Sequence, residues 1–177
     1  MDQQIVFQIP LDFIESKPIV VEPSAAQVSS DAGLLPFRQL DEQIGLTRQF
    51  VEALAYRRHE GYVDHTFLEM TRMRVYGVLA DYADQNDHDV LRSDPIFKLI
   101  CGRSIHDDDL ASQPTLSRFE NAAGRRTLGR LVRWFEQSYI EALPRDQDVV
   151  ILDIDATDDE TRTRLMPINR KYPRFYY

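Results

Sequence analysis

The sequence predicts an α+β protein that is mainly α, with an extended arm, a helical region and then one strand. Three observations carry this. Apolar residues recur at helical spacing across residues 31–145, prolines punctuate an alternating stretch over residues 1–30, and residues 149–154 form an apolar run of strand type. The chain has 177 residues, 43% of them hydrophobic, which suits one globular domain or slightly more. No apolar run approaches the roughly 18 residues that span a bilayer, and no basic region precedes an apolar stretch at the N-terminus. A cytoplasmic protein with no membrane partner is expected. Cys101 is the single cysteine, which excludes a disulfide framework and a cysteine-rich zinc site and leaves a packed thiol.

Each element follows from its residues. In the arm, Ile5, Val6, Phe7 and Ile9 and then Ile19, Val20 and Val21 lie among Pro10, Pro18 and Pro23, a pattern confined to strand edges and short hairpins. From Asp31 the period becomes helical. Phe37, Leu40 and Ile44 mark one helix, Gly45 a C-cap, and Thr47 the start of a second helix through Phe50, Val51 and Leu54. After the polar break Arg57 to Gly61, Asp64 is an N-cap candidate for a long helix with Phe67, Thr71, Val75, Val78 and Tyr82 along one face. Asp87 and Asp94 are expected as successive N-caps, with Pro95 at a first helical position and Gly102 as the stop. His88 between Asp87 and Asp89, and His106 before Asp107, Asp108 and Asp109, have the composition of metal ligands. Adjacent residues on a turn do not converge on one ion, so acids placed to favour helix starts are the expected reading.

The next stretch, LASQPTLSRFENAAGRR, has Ser112 or Gln113 to cap, Pro114 in the first turn, and Leu116, Phe119, Ala122 and Ala123 as the expected buried side. It resembles the second half of a helix-turn-helix, with Thr115, Ser117, Arg118 and Asn121 polar and placed to face DNA. Gly124 breaks the pattern. A helix from Arg125 to Leu143 follows, with Leu128, Val132, Phe135, Tyr139 and Ala142 expected inward and Arg126, Arg130 and Arg133 on another face beside Arg125. A solvated helix face and a phosphate-binding stripe both fit these arginines.

The net charge of -8 opposes non-specific nucleic-acid binding by the molecule as a whole, so the distribution of charge matters more than its sum. From Arg118 to Arg133 five arginines meet one acid, and from Thr161 to Tyr177 five basic residues meet none. The rest of the chain is correspondingly acidic.

In the strand DVVILDIDATDDE, Val149, Ile151, Asp153 and Asp155 share one face, while Val150, Leu152 and Ile154 form the other. Neighbouring carboxylates repel, and a hard cation such as Mg2+ or a shared proton reconciles them. Two chemistries fit locally. In haloacid dehalogenase-like phosphatases a strand ends in Asp-x-Asp-x-Thr, which would make Asp153 the nucleophile and Asp155 the general acid. That fold builds its sheet after the motif, and 22 residues follow Asp155.

The second chemistry covers more of the chain. Asp31-Ala-Gly-Leu-Leu, then Tyr82 with Asn86-Asp-His-Asp and Leu91-Arg-Ser-Asp-Pro, then Leu110 to Asn121, then Ile151-Leu-Asp-Ile-Asp-Ala-Thr-Asp-Asp occur in one order. Together they resemble the N-terminal part of group 1 DDE transposases of bacterial insertion sequences, from about Asp31 to Glu160. The resemblance implies a helical DNA-binding region over 31–145 and, over 146–177, the first strand of an RNase H-like catalytic domain. Asp155 is implied as the first acid of an Asp-Asp-Glu triad and a metal ligand, with Asp153 as the alternative. In such enzymes the acids hold two Mg2+ ions for cleavage and strand transfer of DNA. The implied partner is DNA at the element's terminal inverted repeats, and a homodimer is compatible with the pattern. The second Asp and the distant Glu do not follow in these 177 residues, so a truncated transposase, limited to DNA binding or an inert relic, is the expectation.

Overall fold

The structure is a computed structural model that describes residues 11, 13, 29–55, 64–146 and 149. The described residues are mainly helical: α1 (Leu34–Ile44), α2 (Leu46–Leu54), α3 (Phe67–Leu79), a 3-10 turn (Gln85–Asp87), α4 (His88–Leu91), α5 (Pro95–Cys101), α6 (Gln113–Asn121) and α7 (Arg125–Ala142). The chain divides into two compact units, Met1–Ser138 and Tyr139–Tyr177. Of the second, the end of α7, residues 143–146 and Val149 are described. The expected strand and most of the expected arm lie outside the described residues.

Helices α1 and α2 are joined by a single residue. Gly45, at φ 69°, ends α1 by giving its N–H to the Asp41 carbonyl, and α2 starts at the next residue. This left-handed conformation suits glycine, which has no Cβ to crowd the backbone. The Asp41 carboxylate then reaches across the turn and accepts the Thr47 N–H at 2.8 Å and the Thr47 hydroxyl at 2.6 Å. One acid in α1 thereby caps the first turn of α2.

Helix α3 is the centre of the first unit. Thr66, rather than Asp64, caps it, its side chain accepting the Glu69 N–H at 3.1 Å. Met70, Thr71, Arg72, Met73, Tyr76 and Gly77 are all buried, so the helix is covered on nearly every side, with α2 and α5 packed against it. Leu34, Leu35, Leu91, Phe97, Ile100, Leu110 and Leu116 complete the apolar core around Met70 and Met73. Asp94 caps α5 through the N–H groups of Ile96 and Phe97, Pro95 takes the first turn, and Gly102 at φ 97° closes the helix. Those three roles agree with the sequence.

One expected inward face is corrected, and two apolar stripes differ from the covered sides of their helices. On α1 the stripe Phe37, Leu40 and Ile44 is about half exposed, and the buried residues are Leu34, Leu35, Arg38 and Asp41. On α3, Val78 is exposed while Arg72 and Tyr76 are buried. On α7, Leu128, Val132, Phe135, Tyr139 and Ala142 are exposed, and Thr127, Leu131 and Trp134 form the covered side. On α1 and α3 the cause is a polar interior. Tyr76 gives its hydroxyl to Asp41 at 2.9 Å, Arg72 Nε donates to the Thr47 hydroxyl at 3.2 Å, and Arg38 pairs with Glu42 at 2.5 Å. This network occupies the space between α1, α2 and α3 where apolar stripes would otherwise meet.

A second polar junction involves His88. The ring is fully buried against Gly77, where an added Cβ would lie 2.6 Å from its Cε1. Its Nε2 stands 2.7 Å from the Arg74 guanidinium, which can only donate, so Nε2 accepts and the proton sits on Nδ1. Burial first, and the Arg74 charge second, push the ring down to about 4. The unfolded ring titrates near 6.5, so between pH 6.5 and 4 the unfolded chain binds the extra proton and stability falls as pH falls. Urea unfolding should show about 2 kcal/mol less stability at pH 5 than at pH 7 from this residue. His88→Gln should remove that difference, and an unchanged pH dependence would refute the assignment.

Candidate nucleic-acid interface

Helix α6 starts at Ser112, whose extended backbone is of N-cap type but whose hydroxyl bonds to Thr115 instead of the backbone. The capping acid comes from α4: Asp89 accepts the Gln113 N–H at 3.1 Å. Leu116 is fully buried, and Phe119 packs on Phe67 with ring centroids 5.9 Å apart. Ala122 is exposed and lies beyond the helix, so it is not part of the expected buried side.

The outer side of α6 is polar. Arg118 donates to the Thr115 hydroxyl at 3.1 Å, and Asn121 donates to the Ser117 carbonyl at 2.8 Å. The four residues expected to face DNA thus form two polar pairs on α6, Thr115 with Arg118 and Ser117 with Asn121. Glu120, the single acid between Arg118 and Arg133, is held by Arg74 and Gln85. The Arg74 pair offsets its charge, and among the described residues no acid is paired with Arg125, Arg126 or Arg133.

Helix α7 has three sides. Thr127, Leu131 and Trp134 face the first unit, where Trp134 meets Phe50 of α2 edge-on at 5.7 Å. Arg130 belongs to this side. Its guanidinium donates to the carbonyl oxygens of Ala53 at 3.1 Å and Leu54 at 2.6 Å, closing the C-terminal end of α2. A cation there also offsets the negative end of the α2 dipole. These two bonds engage the Arg130 guanidinium within the fold, although its spacing from Arg126 and Arg133 keeps it beside them on the helix. Arg125, Arg126 and Arg133 are exposed, with Arg126 and Arg133 on the same side two turns apart. Leu128, Val132, Phe135 and Tyr139 form the third side.

Asp153 and Asp155 lie outside the described residues. Among the described residues no group of three or more His, Cys, Asp or Glu could hold a metal ion. The acids near His106 have other partners. Arg92 and Lys98 face Asp109 at 3.5 and 3.4 Å, and the Asp107 side chain accepts the Ser104 N–H at 2.8 Å. These acids, with Asp64, His65, Arg92 and Arg103, line an open polar hollow of about 650 Å³. Glu69 anchors its wall through His65 at 2.7 Å and Arg103 at 2.8 Å.

Against the profile of known families, residues 11–164 match the transposase DDE domain group 1. The chain belongs to this transposase family. The match includes the arm from Leu11, every helix described above, and both Asp153 and Asp155. No curated protein and no solved structure matches the transposase. DDE transposases act on DNA and are generally divalent-metal dependent. No helix among the described residues of the transposase is long and apolar enough to cross a membrane. Sequence reasoning missed the structural duties of Arg130, Asp89 and Glu120. All three depend on partners far away in sequence, and spacing within one helix carries no signal for them.

Proposed function

We propose that the helical region of this transposase is a DNA-binding module for the element's terminal inverted repeats. Its contact surface is the outer side of α6 together with the basic side of α7. Thr115, Ser117, Arg118 and Asn121 meet base edges and nearby phosphates, and Arg125, Arg126 and Arg133 meet the phosphate backbone. The observation that carries this is electrostatic: Glu120 is paired with Arg74, while Arg125, Arg126 and Arg133 stand exposed in a protein of net charge -8. A local basic surface on an acidic molecule orients DNA onto one side of it.

Asp155, with Asp153 as the alternative, supplies the first acid of the triad and a ligand for Mg2+. Bound Mg2+ would activate the attacking oxygen and stabilise the leaving one. The test is fluorescence anisotropy with a terminal-repeat duplex and a shuffled duplex over a salt series. Preferential retention of the repeat, weakening steeply with salt, is expected. Absent or salt-independent binding would overturn the DNA module.

A further inference from the structure

Helix α6 is fastened at both ends by polar contacts in addition to its apolar ones. At its start, Asp89 accepts the Gln113 N–H at 3.1 Å. Toward its end, one Glu120 carboxylate oxygen accepts from Arg74 Nε of α3 and the other from Gln85 Nε2. Arg74 directs its remaining nitrogens at the segment that follows α3: Nη1 lies 2.7 Å from His88 Nε2, and Nη2 donates to the Ala83 carbonyl at 3.2 Å. A guanidinium is a rigid planar fork, so partners in three directions fix its position, and it in turn fixes Glu120. We propose that Arg74 and Glu120 are positioning residues for sequence recognition. They set the tilt of α6 so that Ser117 and Asn121 meet base edges in register, a role that rests on the reading of α6 as a DNA-contacting helix.

The layout of the contacts supports an orienting role over a stabilising one. Gln113 and Glu120 stand about 10 Å apart along the helix axis, with fully buried Leu116 between them. Losing the Glu120 anchor therefore lets the helix rock about Leu116 while Leu116 and the Phe119 contact with Phe67 keep it attached. The movement reaches the contact side at once, because Glu120 directly precedes Asn121, which is bonded to Ser117. The Arg74 and Glu120 side chains are 17% and 39% exposed, and an ion pair this open adds little to folding. Gln85, His88 and Asp89 all belong to one short segment, which the burial of His88 against Gly77 locks onto α3. Contact side chains hold a productive geometry only when their supports are themselves locked by packing and hydrogen bonds, as here.

Fluorescence anisotropy of the 177-residue chain with the terminal-repeat and shuffled duplexes reads the role, and amide hydrogen exchange without DNA reads the support. Glu120→Ala should lower the preference for the repeat roughly 10-fold, the discrimination carried by one good base contact. An acid that merely repels phosphate would act otherwise, its removal strengthening binding of both duplexes and leaving their ratio unchanged. Glu120→Gln removes the same charge but keeps an acceptor for Arg74, and should lose less of the preference than Glu120→Ala. Arg74→Ala should lower the ratio by a similar factor with the salt slope on shuffled DNA at the wild-type value, whereas loss of a phosphate contact would reduce that slope by about 1. The double variant Arg74→Ala with Glu120→Ala should lose no more preference than either single variant, since each removes the same contact. Without DNA, the amides of residues 117–121 should exchange several-fold faster in Glu120→Ala, with those of α3 unchanged. Glu120→Ala leaves the Arg74 contact with His88 intact, and so decides the matter even where Arg74→Ala unfolds. A repeat preference unchanged in Glu120→Ala, equal losses in Glu120→Ala and Glu120→Gln, losses that add in the double variant, or unchanged exchange in α6 would each overturn the proposal. A wild-type chain that holds both duplexes alike would overturn the DNA-contacting reading and the role with it, an outcome that the wild type alone separates from failure of the support.

Discussion

Asp41→Ala is expected to lower the unfolding free energy by about 3–5 kcal/mol, the scale for breaking a buried ionic network by removing one partner. The size follows from what the carboxylate satisfies. It accepts the Thr47 N–H and hydroxyl and the Tyr76 hydroxyl, and it stands 3.7 Å from Arg72 and 3.9 Å from Arg38. Arg38 and Arg72 are only 3% and 4% exposed, so water cannot replace the lost charge. Glu42 remains near both guanidinium groups, at 2.5 Å from Arg38 and 3.6 Å from Arg72, which places the expectation toward the lower end. Asp41→Asn keeps the size and part of the hydrogen bonding, and should cost less than the alanine variant.

The same network is acid-sensitive. Burial alone would raise the Asp41 carboxyl, but the Thr47 and Tyr76 hydrogen bonds and the Arg72 charge outweigh it and hold the group below its usual range. Because the folded value is depressed, the stabilisation is present above the unfolded value near 3.9 and is lost as pH falls through the lower folded value. Urea unfolding of wild type and both variants, followed by far-UV circular dichroism at pH 7, measures the cost directly. A loss under about 1 kcal/mol for Asp41→Ala would mean that the network does not hold α1, α2 and α3 together.

Asp41 also shows which parts of this fold were legible in the sequence. Backbone punctuation was readable, because Gly45, Asp94, Pro95 and Gly102 act through local geometry that neighbouring residues determine. The facing of helices was not. Phe37, Leu40 and Ile44 have the spacing of a core stripe, yet α1 turns Arg38 and Asp41 inward, since their partners Thr47, Arg72 and Tyr76 lie up to 35 residues away. Periodicity ranks faces by apolarity and is blind to polar groups that satisfy one another. His88 misled for the same reason: among Asp87 and Asp89 it looks like a surface turn, but the missing side chain of Gly77 leaves room to bury it. On α7 two adjacent sides are both apolar, and the bonds of Arg130 to α2, with Trp134 on Phe50, decide which one is covered.

That choice of side separates the arginines, and the separation is measurable. Arg126→Ala with Arg133→Ala should reduce the slope of log affinity against log salt by about 2, since each lost phosphate contact retains roughly 0.9 of a condensed counterion. Affinity for the terminal repeat at low salt should fall on the order of 10–100-fold, with unfolding changed by no more than about 0.5 kcal/mol, because both side chains are exposed. Arg130→Ala should do the reverse. Removing its guanidinium takes charge-assisted donors from the Ala53 and Leu54 carbonyls and should cost about 2 kcal/mol of stability, while the salt slope stays at the wild-type value. Running both variants through the same anisotropy series and the same urea titration gives a double dissociation. If Arg130→Ala lowers the salt slope by about 1 at unchanged stability, the guanidinium contacts phosphate instead of closing α2, and the basic surface must be redrawn around all of Arg126, Arg130 and Arg133.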